Sequence, residues 1–156
     1  MHKLESFSLS ANAKISEPLI EESFYPIIAD KFICVSTSSN EDAKYYSYFD
    51  DVIFHIKAFL DKEGIKIIQI GNPKDVPLFY CDHLFNTNRL QNSYIINKSL
   101  LYFGNYNLYT NIASRYNKAI VLPSNIDYIE SFFPYWSSKD NCKVVLPDLK
   151  LSLIHI

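Results

Sequence analysis

The sequence predicts a doubly wound, mainly parallel α/β domain, and three observations carry that expectation. From residue 31 onward, short continuous apolar runs alternate with longer polar segments whose apolar residues recur at helical spacing. The apolar runs are unbroken rather than alternating, as in strands buried on both faces of a parallel sheet. One stretch, Leu100–Leu122, carries a complete unit: Leu100-Leu101-Tyr102-Phe103, a break at Gly104-Asn105, a segment with Leu108, Ile112 and Ala113 at helical spacing, and Ala119-Ile120-Val121-Leu122. Strand, glycine turn, helix and strand make a βαβ unit, which joins parallel strands. Such a turn is where an open parallel sheet receives ligands, although an ordinary unliganded βα turn has the same spacing.

Taken in order, residues 1–30 read as an arm, with a short helix or turn near Leu19–Phe24 packed by Leu19, Ile20 and Phe24. Phe32–Ser36 is the first strand. A polar loop, Thr37-Ser38-Ser39-Asn40, leads into the longest predicted helix, about Glu41 to Glu63, with Phe49, Val52, Ile53, Ile56, Phe59 and Leu60 as its apolar stripe. Ser39 or Asn40 is expected to cap its start and Gly64 to follow its end. Ile65–Ile70 is the second strand, followed by Gly71-Asn72-Pro73 and a loop holding Asp75. Leu78–Leu84 reads either as a short strand or as a turn. Asn88–Lys98 is a helix, Leu100–Phe103 and Ala119–Leu122 are strands, and a helix through Ile126, Ile129, Phe132 and Phe133 ends at Pro134. Lys143–Leu146 is the last strand. Val35, Ile53, Ile56, Ile68, Leu101, Ile112 and Val121 are the expected core.

Composition narrows the function. The 156 residues suffice for one domain with its own core, and 48% hydrophobic content excludes a disordered chain. A net charge of −2 argues against a general nucleic-acid binder, and no apolar run reaches membrane-spanning length. Cys34, Cys81 and Cys142 are scattered and odd in number, so they read as free thiols in a reducing compartment; no metal-ligand spacing is present. Leu151-Ser152-Leu153-Ile154-His155-Ile156 matches the translation of a transposase end sequence used in preparing DNA libraries. Residues 151–156 are therefore expected to be adaptor, with the natural protein continuing past Lys150; a genuine apolar strand is the other reading.

Ser36–Tyr46 (STSSNEDAKYY), Ile67–Asp75 (IIQIGNPKD) and Gly104–Ala113 (GNYNLYTNIA), with Pro134-Tyr135-Trp136 beyond, together resemble the nucleotide-binding half of glycosyltransferase family 9, the ADP-heptose:lipopolysaccharide heptosyltransferase type. The resemblance covers about Leu4 to Asp148. It implies a Rossmann-like domain over residues 31–150, one half of a two-domain GT-B fold, truncated at its end. It also implies glycosyl transfer from a nucleotide-diphosphate sugar in lipopolysaccharide or surface-glycan synthesis. The implied partners are that nucleotide sugar and, in the full-length protein, a glycan or lipid-linked acceptor. The implied location is the cytoplasm or the inner face of the membrane; no cofactor and no metal are implied. The third segment resembles a Gly-x-Asp-Thr/Ser-x-x-x-His-Leu/Ile-Ala motif. Tyr106 stands at its Asp position, Asn107 at Thr/Ser and Asn111 at His.

By this resemblance Lys44 falls on the diphosphate-binding lysine, where a cation stabilises the charge developing on the leaving group; a solvated helix lysine is the alternative. Ser38 and Ser39 would donate to phosphate oxygens, or cap a helix. Asp75 would hold a ribose hydroxyl, or be an exposed loop charge. Gly104, Asn107, Thr110 and Asn111 would lie at the helix N-terminus that receives a phosphate, or serve that helix start alone. No catalytic base is assigned, because in a GT-B enzyme it comes from the other domain; residues 1–150 alone are expected not to transfer sugar. Two other classes compete. A non-catalytic nucleotide- or glycan-binding module would keep the fold without the chemistry, which Tyr106 and Asn111 favour. A flavodoxin-like or receiver-type signalling domain is the third class; a receiver would need acidic residues after the first strand, where Ser36–Asn40 is uncharged.

Overall fold

The computed structural model describes residues 2–39, 46–116, 119–121, 135–136 and 142–144, with the side chains of 119–121 and 144 left aside. Among the described residues six strands and four helices follow one another as α1 (Lys3–Ala11), β1 (Phe32–Ser36), α2 (Phe49–Lys62), β2 (Lys66–Ile70), β3 (Asp82–Leu84), α3 (Arg89–Lys98), β4 (Tyr102–Gly104), α4 (Leu108–Arg115), β5 (Ala119–Val121) and β6 (Lys143–Val144). The strands form one sheet in the order β3-β2-β1-β4-β5-β6, and every neighbouring pair is parallel. This is the doubly wound α/β arrangement the alternation predicts.

β1 shows why the sheet needs cover on both sides. All five of its residues are buried. Phe32 and Cys34 point into one core, with Ile68, Ile70, Tyr102, Ile95, Ile96 and Ile112. Ile33 and Val35 point into the other, with Ile67, Phe103 and the α2 residues Phe49, Ile53 and Leu60. Thus α2 lies on one face, and α3 and α4 on the other. The chain winds outward from β1 to β2 over the first face. It then returns from β3 to β4 over the second, so the winding direction reverses between β1 and β4.

Several boundaries differ from the expected ones. α2 begins at Phe49, not near residue 41: Tyr46 to Tyr48 are not helical, and the Tyr46 N–H is drawn to Asn105 instead of into a helical turn. Tyr48 therefore stands at the N-cap position, and no side chain caps it; the expected Asn40 cap and the expected helical residues 41–45 lie outside the described residues. Phe59, placed in the apolar stripe by spacing, is 63% exposed. Gly64 does follow the helix, at a φ of +66° that favours glycine. Leu19–Phe24 forms no helix. The arm's helix is α1, held by a capping box between His2 and Glu5, and it buries none of its residues. Its rule was local hydrogen bonding, not apolar spacing. Ile20, Tyr25 and Ile27 of the arm pack against the core on the α3–α4 side, whereas Leu19 and Phe24 stay exposed. The ambiguous stretch 78–84 resolves into β3 at its end. β4 starts two residues late, at Tyr102, although the Leu100 N–H already donates to the Phe32 carbonyl and the Leu101 carbonyl accepts from the Cys34 N–H. Of the expected core, Val35, Ile53, Ile68 and Ile112 are buried and Ile56 and Leu101 half-buried. The expected helix over 126–133, the Val121 side chain and residues 151–156 lie outside the described residues.

Candidate functional site at the carboxyl edge

The reversal between β1 and β4 falls at their carboxyl ends, the edge where such a fold receives ligands, and the two strands meet there closely. Ser36 and Gly104 are register partners. A Cβ on Gly104 would lie 2.3 Å from the Ser36 carbonyl oxygen and 3.0 Å from the Tyr102 hydroxyl. Only glycine lets the backbones approach this far.

The turn after β4 is built around two buried asparagines. Asn107 is the N-cap of α4: its Oδ1 accepts from the N–H groups of Tyr109 at 2.8 Å and Thr110 at 3.2 Å, and from the Tyr102 hydroxyl at 3.2 Å. Its Nδ2 donates to the Ser38 carbonyl at 2.9 Å and the Ser36 hydroxyl at 3.3 Å. The fully buried Thr110 hydroxyl completes the box, accepting from the Asn107 N–H and donating to the Asn105 carbonyl. Two of the N–H groups that open α4 are thus engaged inside the turn. Tyr102 is wholly buried beneath it, and burial pushes its hydroxyl pKa well up, keeping it a neutral donor.

Asn105 was not singled out by its sequence. Its Nδ2 donates to the Thr37 carbonyl at 2.8 Å, and its Oδ1 accepts from the Tyr46 N–H at 3.0 Å. Gln69 was missed as well: its buried amide donates to the Thr37 hydroxyl and the Val76 carbonyl and accepts from the Leu78 N–H. A lone amide within or directly after an apolar run was the available signal for both, since buried amides need partners.

β2 contributes the third corner. The turn after it closes on Asp75, whose Oδ2 accepts from the Asn72 N–H at 2.8 Å and from the Ser38 hydroxyl. Ser38 and Asp75, predicted from different strand ends, are therefore in contact. Ser39 is half-buried beside them. Gly104, Asn107 and Thr110 form the neighbouring turn, and one turn further Asn111 is half-buried, its Nδ2 3.5 Å from the Tyr106 hydroxyl. Lys44 lies outside the described residues. Among those residues no group of three or more His, Cys, Asp or Glu is placed to hold a metal ion.

A parallel sheet wound in both directions, with helices on both faces and polar side chains gathered at its reversal, defines a Rossmann-like α/β fold. No protein-family model and no curated protein matches the sequence. Solved structures do match. They include the Escherichia coli ADP-heptose lipopolysaccharide heptosyltransferase II, at 17% identity over 93% of this chain and 44% of that one, with a TM-score of 0.56. A family 9 glycosyl transferase from Veillonella parvula matches at 12% identity over 96% and 40%, with a TM-score of 0.60. The Escherichia coli heptosyltransferase WaaC with ADP matches at 12% over 92% and 48%, with a TM-score of 0.59. These are structures of the family that the sequence resembles. At such identities they establish the shared fold, and the chain spans less than half the length of each.

Proposed function

We propose that this chain is the donor-binding part of a glycosyltransferase that uses a nucleotide-diphosphate sugar. The observation that carries this reading is the junction of three strand ends, β1, β2 and β4, where Ser38, Asp75 and the Asn107 turn meet on a fold shared with heptosyltransferases, one of them solved with ADP. In this reading the diphosphate lies over the carboxyl end of β1, received by Ser38, Ser39 and the ammonium of Lys44. Asp75 takes a ribose hydroxyl, and Asn111 takes a hydroxyl or phosphate oxygen from the next turn. Gly104, Asn107 and Thr110 act by giving the turn its shape. A cation beside the diphosphate favours departure of the nucleotide as the glycosidic bond breaks. The acceptor, a glycan or lipid-linked sugar, and the base that activates it belong to the whole protein, as do the roles in surface-glycan synthesis at the cytoplasmic side of the membrane. The donor is a substrate, and the reading calls for no cofactor.

The test is a thermal-shift and calorimetric series with ADP-, GDP- and UDP-sugars. A ligand at a hundred times its Kd stabilises a protein by about 2.7 kcal/mol, so one nucleotide should raise Tm by several degrees. No shift with any of them at millimolar concentration overturns the reading. Tyr106 and Asn111 support a second reading, a binding module without catalysis, because neither can carry the charge of the Asp and His they replace. Binding without turnover in the full-length protein would select it.

A further inference from the structure

We propose that Asn105 is a positioning residue whose single carboxamide holds both flanks of the β1–α2 connection, and that nucleotide affinity depends on this grip. The inference rests on the donor-binding reading above.

The geometry is specific to this residue. Asn105 is fully buried and every polar group it has is engaged. Its backbone N–H donates to the Ser36 carbonyl at 3.2 Å, and its own carbonyl accepts from Thr110 at 2.9 Å, which fixes it to β1 and to α4. From that anchored position the side chain reaches Thr37, where the connection leaves the sheet, and Tyr46, where it comes back. Ser38 follows the first point directly. At the second, the Tyr46 ring packs edge-on against Phe49, which packs against Phe103 of β4, with Tyr48 on its outer side. One amide therefore sets the distance between the side that carries Ser38 and the side that carries the tyrosines. No other residue type does both jobs at this size. Aspartate accepts from Tyr46 but sets a second oxygen against the Thr37 carbonyl; alanine leaves the Thr37 carbonyl and the Tyr46 N–H without this partner.

The experiment compares the full chain with Asn105→Ala, Asn105→Asp and Asn92→Ala. Asn92 is an equally buried carboxamide, bonded to the Thr87 and Tyr109 hydroxyls and not to either flank of the β1–α2 connection. It controls for the general damage of losing a buried amide. Two quantities are read: hydrogen exchange at the Tyr46 amide, and Kd for whichever of ADP, GDP and UDP binds the unmodified chain most tightly. Asn105→Ala should speed Tyr46 exchange selectively and weaken nucleotide binding about tenfold, measured at a temperature where all three variants remain folded. Asn105→Asp should keep Tyr46 protected yet still weaken binding. Asn92→Ala should lower Tm while leaving both readings unchanged. Nucleotide binding that survives Asn105→Ala, or that falls equally in Asn92→Ala, overturns the proposal. Exchange at Tyr46 that is as fast before substitution as after overturns the geometry beneath it. If the unmodified chain binds none of the three nucleotides, the donor-binding reading falls and takes this inference with it, whatever the exchange data show.

Discussion

The Ser38 hydroxyl donates to the Asp75 carboxylate, joining the loop after β1 to the turn after β2 across 37 residues of sequence. The same carboxylate oxygen accepts from the Asn72 N–H, so Asp75 holds its own turn and its neighbour at once. Asp75→Ala should cost about 1–2 kcal/mol, since the carboxylate is half-exposed and its hydrogen bonds compete with water. In a double-mutant cycle with Ser38→Ala, chemical denaturation should show a coupling of about 1 kcal/mol. Strict additivity would mean that the pair does not hold in solution.

Gly104 and Gly71 look alike in sequence, each ending a strand, but they should respond differently to alanine. At Gly71 the new methyl would meet the Asp75 carboxylate at 2.2 Å, and a side chain can swing away. At Gly104 it would meet the Ser36 backbone carbonyl at 2.3 Å, inside the sheet. Gly104→Ala should therefore destabilise by about 1–3 kcal/mol or more, with Gly71→Ala well below it. Urea midpoints on the two variants decide the order.

Burial raises the Tyr102 pKa, and the sign of the consequence follows directly. Near pH 10 and above, the unfolded chain loses this proton while the folded one keeps it. The stabilisation is complete below roughly pH 10 and declines as pH rises further. Tyr102→Phe should cost about 1 kcal/mol at neutral pH for the lost hydrogen bonds. Above pH 10 its stability should fall less steeply than that of the unmodified chain, by about 1.4 kcal/mol per pH unit. Parallel slopes for the two proteins would show that the hydroxyl titrates equally in both states.

Lys44→Ala should weaken binding of the preferred nucleotide sugar about tenfold, in keeping with the loss of one hydrogen bond to a charged group. Lys57→Ala is the matched control. Its ammonium is 2.8 Å from Asp61 on the exposed side of α2, and it also lies over the Tyr80 ring. Calorimetry should find that Lys57→Ala leaves the affinity alone. Equal affinities for both variants would reduce Lys44 to an ordinary surface charge.

The sheet was legible because its strands are apolar without interruption. Phe32–Ser36 was read to the residue, and the β4–α4 unit nearly so, since Gly104 and Asn107 punctuate it with their own chemistry. What the pattern could not give was anything decided by a distant partner. Tyr46 to Tyr48 follow an acidic segment suited to a helix, yet the Tyr46 N–H is claimed by an asparagine 59 residues away. β3 is short and mostly exposed, and parallel pairing to β2 defines it rather than any run of its own. α1 depends on a histidine cap, which apolar spacing does not register. In the site, Ser38, Asp75, Asn107 and Thr110 were found as residues. Their division of labour was not, because spacing does not say whether a buried Thr110 faces a ligand or its own turn.

A strand buried on both faces carries no inside and outside in its side chains. In β1, Phe32, Ile33, Cys34 and Val35 are all apolar, so sliding the strand by one position would exchange the two cores at little hydrophobic cost. The marks that forbid such a slip are polar and sit at one end: Ser36 against Gly104, Thr37 against Asn105 and Gln69, and Ser38 against Asn107 and Asp75. The edge that would receive a ligand is thus also the ruler by which the central strands are aligned. Substitutions there should therefore lower stability and binding together, while changes in the apolar middle of β1 should act on stability alone.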